Sequence, residues 1–436
     1  MTLPANLPSR LTHFLNSLPT MEHYSDRGNH SATFVWNNLN HLEDHNKQVI
    51  LEPIASDLYI NTFPIRSASS FSSSFPTQNA VDSGTLYLPF TNGMSLAYSR
   101  AVMATEPSDR NLHSSDTITM CYHSPDPLAP DLSRDQSDVG ESLGNSIIMA
   151  TIPDLPEEEA LYETALYLSE GNHALKLANH VKDILVLDGP IFPVGLLAWY
   201  QGKPNLKNLL SMDGPSRRAL KAYIDLIDFF VNSAINTESE SPPLIGFVKN
   251  PRGTTIKSTF DHSSNQTESF IWPHDSSFFK YILRSHLLST GSENLTTNDA
   301  NLAYTNWFIS KSRIALQFED FLTDMDLGIT NPKNPLYDLT FFMIYDPRSD
   351  LIYRVESPYV FTQSPNMRKK IENYVLKEMA IYNGPPRVIN KADHLAHMSN
   401  SEKENIGNLL ASSFHTRIDI NYNSLRWHSM DQLRNL

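Results

Sequence analysis

The sequence predicts a mixed α/β sheet protein. Short apolar runs of strand length alternate with segments of helical periodicity, and no stretch repeats another. Of the 436 residues, 40% are hydrophobic and 10% aromatic, which is globular rather than disordered composition. A chain this long forms two or three domains or one large domain with insertions, and the pattern favours the second. Residues 1–75 read as a polar N-terminal extension closing in the Ser-rich connector "SASSFSSSFPTQ", residues 76–415 as the main domain, and 416–436 as a tail.

The elements follow in order. "NAVDSGTLYLPF" runs apolar into Asp82, then Gly84 and alternating Leu86 and Leu88, and predicts two strands or a strand and a turn. The Pro/Asp-rich stretch 124–144 predicts a surface loop. Between about 155 and 180, Leu161, Ala165, Leu166 and Leu168 stand at helical spacing and lead into the strand Ile184–Leu187. Ser216 is a candidate N-cap for a helix whose core stripe is Leu220, Tyr223, Ile224, Ile227 and Val231. "LIGFVKN" is a strand ending at Lys249, and Asp275 opens a helix as a candidate cap. A hairpin is expected to turn between Asp346 and Asp350. A helix then stops at Asn383 and Gly384, and Ser399 with Glu402 and Ser401 with Glu404 form overlapping capping boxes.

Composition excludes several functions. The single cysteine, Cys121, rules out an internal disulfide and any multi-cysteine zinc site and fits a reducing compartment. No apolar run reaches the roughly 20 residues of a membrane span, and the first residues lack the pattern of a signal peptide, so a cytoplasmic protein with no membrane contact is expected. A net charge of −14 gives no global attraction to nucleic acid. Any DNA would be held by local patches: Arg217, Arg218 and Lys221; Lys249, Arg252 and Lys257; or Arg368, Lys369 and Lys370.

Three segments share one design, an apolar strand ending on a polar residue with Gly or Pro within three positions. They end at Asp82, Asp188 and Lys249. Each reads singly as a turn or a solvated charge. In α/β sheets, however, ligands collect beyond strand ends, where residues distant in sequence converge. Gathered carboxylates repel one another unless a cation neutralises them, and oxygen ligands suit Mg²⁺ or Mn²⁺. Two such ions, about 3.5 to 4 Å apart, clamp the attacking and leaving oxygens of a phosphodiester. A lysine nearby stabilises charge on the phosphoryl oxygens.

Six motifs in order, "AVDSG", "ILVLDGPI", "LIGFVKN", "HDSSFFKYIL", "YRVESP" and "PPRVINKADHLAHMS", resemble those of the NurA nucleases across roughly residues 75–410. The resemblance implies a ribonuclease H-like mixed sheet core flanked by helices. It also implies Mn²⁺-dependent cleavage of DNA, Mg²⁺ being the alternative ion, usually as a 5′-to-3′ exonuclease with single-strand endonuclease activity. A HerA-like hexameric helicase would be the partner in resecting DNA ends for repair. Carried over by motif, Asp82 and Asp188 match the strand-end metal ligands, Lys249 the strand lysine, Asp275 a later metal-site Asp, and Arg354 an Arg of the penultimate strand. The family's helical Glu is placed at Glu163, with Glu159 one turn away as the alternative. In the closing motif Asp393 or His394 completes the site. Lys249, Arg252 and Arg354 are the expected DNA contacts.

Two further classes compete with a nuclease: a non-catalytic adaptor binding DNA or the helicase on the same fold, and a metal-dependent phosphatase of small substrates. The acidic balance predicts a homodimer whose assembly aligns the basic patches.

Overall fold

The computed structural model describes residues 22–55, 57–124, 134–136, 146–151, 158–193, 196, 214–237, 240–262, 270–291, 300–311 and 334–419. In chain order the strands are β1 Leu42–Glu43, β2 Val49–Pro53, β3 Ile60–Pro64, β4 Gln78–Pro89, β5 Ser95–Glu106, β6 Asp116–His123, β7 Arg134–Gln136 and β8 Ser146–Thr151. They continue with β9 Ile184–Leu187, β10 Leu244–Val248, β11 Asn301–Thr305, β12 Phe308–Ser310, β13 Leu339–Asp346 and β14 Leu351–Pro358. The helices are α1 Glu22–Asn38, α2 Arg110–His113, α3 Glu158–Leu177, α4 Pro215–Asn236, α5 Thr255–His262, α6 Asp275–Ser289, α7 Tyr359–Thr362, α8 Pro365–Tyr382, α9 Arg387–Ala396 and α10 Asn400–Ser413. The expected alternation of strand and helix is present. Among the described residues no helix is long and apolar enough to cross a membrane.

The chain forms two compact units. One combines segments within 1–64, 250–312 and 341–353, and the other segments within 65–249, 313–340 and 354–436. In the first, β3 pairs antiparallel with β11, Leu302 opposite Phe63, and β2 pairs with β12, Phe308 opposite Pro53. Val35 and Leu39 from α1, Phe278 and Phe279 from α6, and Phe308 and Phe341 from the strands fill its core. Residues 1–75 are expected to be an extension, whereas β3 within that stretch is built into this unit with partners about 240 positions later.

The second unit carries the strand order β14-β10-β9-β4-β5-β6-β8-β7. Strands β4, β5 and β6 form an antiparallel meander. On the other side of β4, β9 adds in parallel, β10 adds parallel to β9, and β14 runs antiparallel to β10. Helix α3 packs on β4, β5 and β6 and against α4, while α9 packs on β4 and β5.

Several local expectations are sharpened. β4 is one continuous strand, not two, because all twelve of its residues pair with β5. Gly84 therefore makes no turn. α4 begins at Pro215 with Gly214 as N-cap, since Pro is preorganised for the first helical position. Ser216 lies inside that helix and its hydroxyl meets Thr164 Oγ1 at 2.9 Å. The stripe Leu220, Tyr223, Ile224, Ile227 and Val231 is buried as expected. β13 and β14 make the expected hairpin, α8 ends at Asn383 in the left-handed region with φ 55°, and Ser399 with Glu402 completes a capping box on α10. Of the loop expected at 124–144, residues 125–133 and 137–144 lie outside the described residues. Residues 134–136 are strand β7, paired with β8.

Candidate active site

The parallel register of β4 and β9 puts Val81 beside Leu187. Both are buried, and the next position on each strand path is a carboxylate, Asp82 and Asp188. Neighbouring strands lie about 4.8 Å apart, so the register itself sets the two acids side by side. β10 continues the row with Gly246 beside Leu187, and Lys249 follows its end.

The chain turns sharply after Asp188. Gly189 takes φ 143°, open to glycine alone without strain, and donates its N–H to the Leu187 carbonyl at 3.0 Å. The turn folds back over β10, where a Cβ on Gly246 would stand 2.6 Å from the Gly189 carbonyl oxygen. Buried Glu356 on β14 accepts the Ile191 N–H at 3.0 Å and is ion-paired with Arg354 Nε at 3.0 Å. These contacts hold the turn that follows the Asp188 carboxylate. Its Oδ2 accepts from Lys249 Nζ at 2.7 Å.

A third carboxylate comes from α3. Glu170 Oε1 accepts from Ser83 Oγ at 2.8 Å and Oε2 from the Tyr223 hydroxyl at 2.7 Å. The Ser83 N–H donates to Asp82 Oδ1 at 2.8 Å, so one residue ties Asp82 to Glu170. A fourth comes from α9, whose C-terminal end presses on β4. A Cβ on Gly84 would stand 2.3 Å from the Ala396 carbonyl oxygen. Arg100, opposite Gly84 on β5, donates to the Leu395 carbonyl at 2.9 Å. This docking places Asp393 where its charge acts on both Asp82 and Asp188.

The electrostatics follow from crowding and burial. Burial first, then Asp188 and Asp393, push the Asp82 carboxyl up to about 7 against the lowering by the Ser83 N–H and Lys249. Burial and the charge of Asp82 push Glu170 up to about 8, although hydrogen bonds from Tyr223 and Ser83 favour its ionised form. Asp188 is raised by burial and held back chiefly by Lys249. The Tyr162 phenol, 38% exposed on α3, is raised by burial and then by Glu170 and Asp82, so an aromatic ring stands close to these acids. Among the described residues no three His, Cys, Asp or Glu side chains converge as a metal cage does. Lys249 neutralises Asp188 instead. The donor set nonetheless fits a hard divalent ion, being all carboxylate oxygen and short of positive charge.

The structure brings together Asp82, Asp188, Lys249 and Asp393 of the residues picked from sequence. The α3 carboxylate coupled to them is Glu170, not Glu163. Glu163 stands seven residues earlier, about 10 Å along the helix, and it is Glu170 that meets Ser83 and Tyr223. The side chain of Glu159 lies outside the described residues. Asp275 belongs to the first unit, where its two oxygens accept the N–H groups of Ile256 and Lys257 at 3.0 Å each. It caps α5, a role suited to an acid at a helix N-terminus. Arg354 braces Glu356 behind the Asp188 turn. Arg252 is exposed in the first unit. His394 is exposed one position beyond Asp393, about 100° around α9. The basic patches are largely engaged locally: Lys221 with Asp225, Lys257 with Asp261, Lys369 with Glu372 and Lys370 with Glu240.

Sequence reasoning passed over Glu170, Tyr223 and Ser83. Gly171 was the available signal, since a glycine inside a helix marks close approach of another element.

The family model of the NurA domain matches residues 77–398, about three quarters of the chain. The chain belongs to the NurA domain family. A comparison with curated proteins finds no match. The matched span takes in Asp82, Glu170, Asp188, Lys249 and Asp393. The NurA domain is nuclease-associated.

Proposed function

We propose that this chain is a divalent-metal-dependent deoxyribonuclease that acts in DNA end resection and repair. The observation that carries this reading is the grouping of Asp82 on β4, Glu170 on α3, Asp188 after β9 and Asp393 on α9, where burial and the mutual repulsion of the carboxylates raise Asp82 to about 7 and Glu170 to about 8. Asp82, Glu170 and Asp188 would hold Mn²⁺, or Mg²⁺ in its place. The ion when bound would supply Lewis-acid polarisation of a phosphodiester and a water of lowered pKa. Asp188 is held by the Lys249 ammonium at the start of the Gly189 turn. Lys249, 37% exposed at its side chain, can give its positive charge to a phosphoryl oxygen once released from Asp188.

The strand arrangement, a meander followed by two parallel strands on the far side of β4, supports the ribonuclease H-like core that the motifs imply. The 5′-to-3′ exonuclease and single-strand endonuclease activities, the HerA-type helicase partner and the cytoplasmic location rest on family membership.

Incubation with Mn²⁺ and labelled single-stranded DNA tests the proposal. Wild-type protein should cut, and Asp188→Asn should cut at least about a hundredfold more slowly. Equal rates would exclude Asp188 from the chemistry.

One observation favours the non-catalytic adaptor: the Lys249–Asp188 pair already neutralises a strand-end acid. Calorimetric titration with Mn²⁺ separates the readings, because an adaptor held by that ion pair binds no ion.

A further inference from the structure

Tyr223 lies in the core-facing stripe of α4, yet its hydroxyl ends on Glu170 Oε2 at 2.7 Å. Ser83 takes the other oxygen at 2.8 Å and, through its N–H, Asp82 Oδ1 at 2.8 Å. A carboxylate oxygen has two acceptor sites, so one donor on each leaves one site per oxygen for a further ligand. Glu170 is thereby held at both oxygens without being used up.

A second observation shows that the approach of Tyr223 is built in. Gly171 follows Glu170 inside α3, where glycine weakens a helix. A Cβ there would stand 2.9 Å from Tyr223 Cδ2 and 3.0 Å from Ala222 Cβ. Any other residue would push the Tyr223 ring away from α3. Tyr167 holds the ring from the side, edge to face at 5.5 Å between centroids.

We propose that Tyr223 and Ser83 are positioning residues that hold the Glu170 carboxylate in the orientation required to bind the divalent ion alongside Asp82. The inference rests on the proposed metal-dependent nuclease reading of this site. Outer hydrogen-bond partners of a ligating carboxylate typically change metal affinity or activity by about 10- to 100-fold when removed. Tyr223→Phe keeps the ring against Gly171 and Tyr167 and deletes only the hydroxyl. Ser83→Ala deletes the other donor and leaves the backbone N–H to Asp82.

The test measures the Kd for Mn²⁺ by calorimetry without DNA, together with the Mn²⁺ concentration giving half-maximal cleavage of a single-stranded oligonucleotide. Each variant should raise both about tenfold, with kcat recovering at saturating Mn²⁺ and the KM for DNA unchanged. In a Glu170→Gln background, Tyr223→Phe should add no further loss. A lowered melting temperature with unchanged Mn²⁺ dependence overturns the inference, because it assigns the hydroxyl to structure alone. Should Tyr223→Phe fail to fold, Ser83→Ala carries the same measurement. Absence of Mn²⁺ binding by wild-type protein overturns the metal reading and this inference with it. Normal wild-type binding with unaffected variants overturns the inference alone.

Discussion

At Asp82 the cost of the site is visible in one carboxyl. Burial and the charges of Asp188 and Asp393 raise it from an ordinary value near 3.8 to about 7. For an acid raised on folding, the stabilising contribution is complete below the unfolded pKa and lost as pH climbs through the folded one. In chelator, the melting temperature of the wild-type protein should therefore fall between about pH 4 and 8, and Asp82→Asn should flatten part of that fall. Mn²⁺ should restore more stability at pH 8 than at pH 6. Thermal scans across this range check both statements, and parallel wild-type and Asp82→Asn curves would contradict them. Asp188 and Lys249 were legible in the sequence because each closes an apolar run of strand length beside a Gly or Pro, and Asp82 through the "AVDSG" motif, although it lies inside β4 and not at its end. Glu170 was not. Helical periodicity gives the faces of α3 but not which acid lies opposite Ser83, a residue 87 positions earlier on another element.

Two contacts join the elements on which the site depends. Gly84 admits the end of α9 to β4, and Arg100 satisfies the Leu395 carbonyl there. Gly84→Ala would drive a Cβ to 2.3 Å from the Ala396 backbone oxygen, and backbone cannot rotate out of the way. We expect a loss of about 2 kcal/mol or more in urea denaturation, in the range of overpacked cores. Cleavage should fall with it, because α9 carries Asp393. Unchanged stability would mean that α9 does not bear on β4 as described. At the Asp188 turn, Gly189 and Glu356 play the matching part, and here the sequence was half informative. The Asp-Gly-Pro pattern predicts a turn, but Glu356 closes it from a strand 165 residues beyond Ile191. Asp275 shows the converse. Its position before an apolar helix was compatible with capping or metal binding, and both its oxygens are committed to the α5 backbone.

For the whole molecule the net charge of −14 sets the terms on which DNA can be engaged. Lys221, Lys257, Lys369 and Lys370 are each paired with an acid, which lowers the unopposed positive charge at the patches the sequence suggested. On the proposed nuclease reading, DNA binding would depend on assembly. We expect a homodimer at micromolar concentration by light scattering and a DNA affinity that falls steeply between 50 and 200 mM salt, as counterion release requires. A monomer with salt-insensitive binding would contradict this. The mixed α/β class was legible from alternating patterns. The strand pairing of the first unit was not, because β2, β3, β11 and β12, of three to five residues each, carry too little periodicity to reveal partners about 240 positions away. The central claim is that Asp82, Glu170 and Asp188 hold a divalent ion for phosphodiester cleavage. Anomalous diffraction at the manganese edge from Mn²⁺-soaked crystals tests it most directly. The account predicts a peak among these three carboxylates with Lys249 moved off Asp188, and no peak with Lys249 still paired to Asp188 would contradict it.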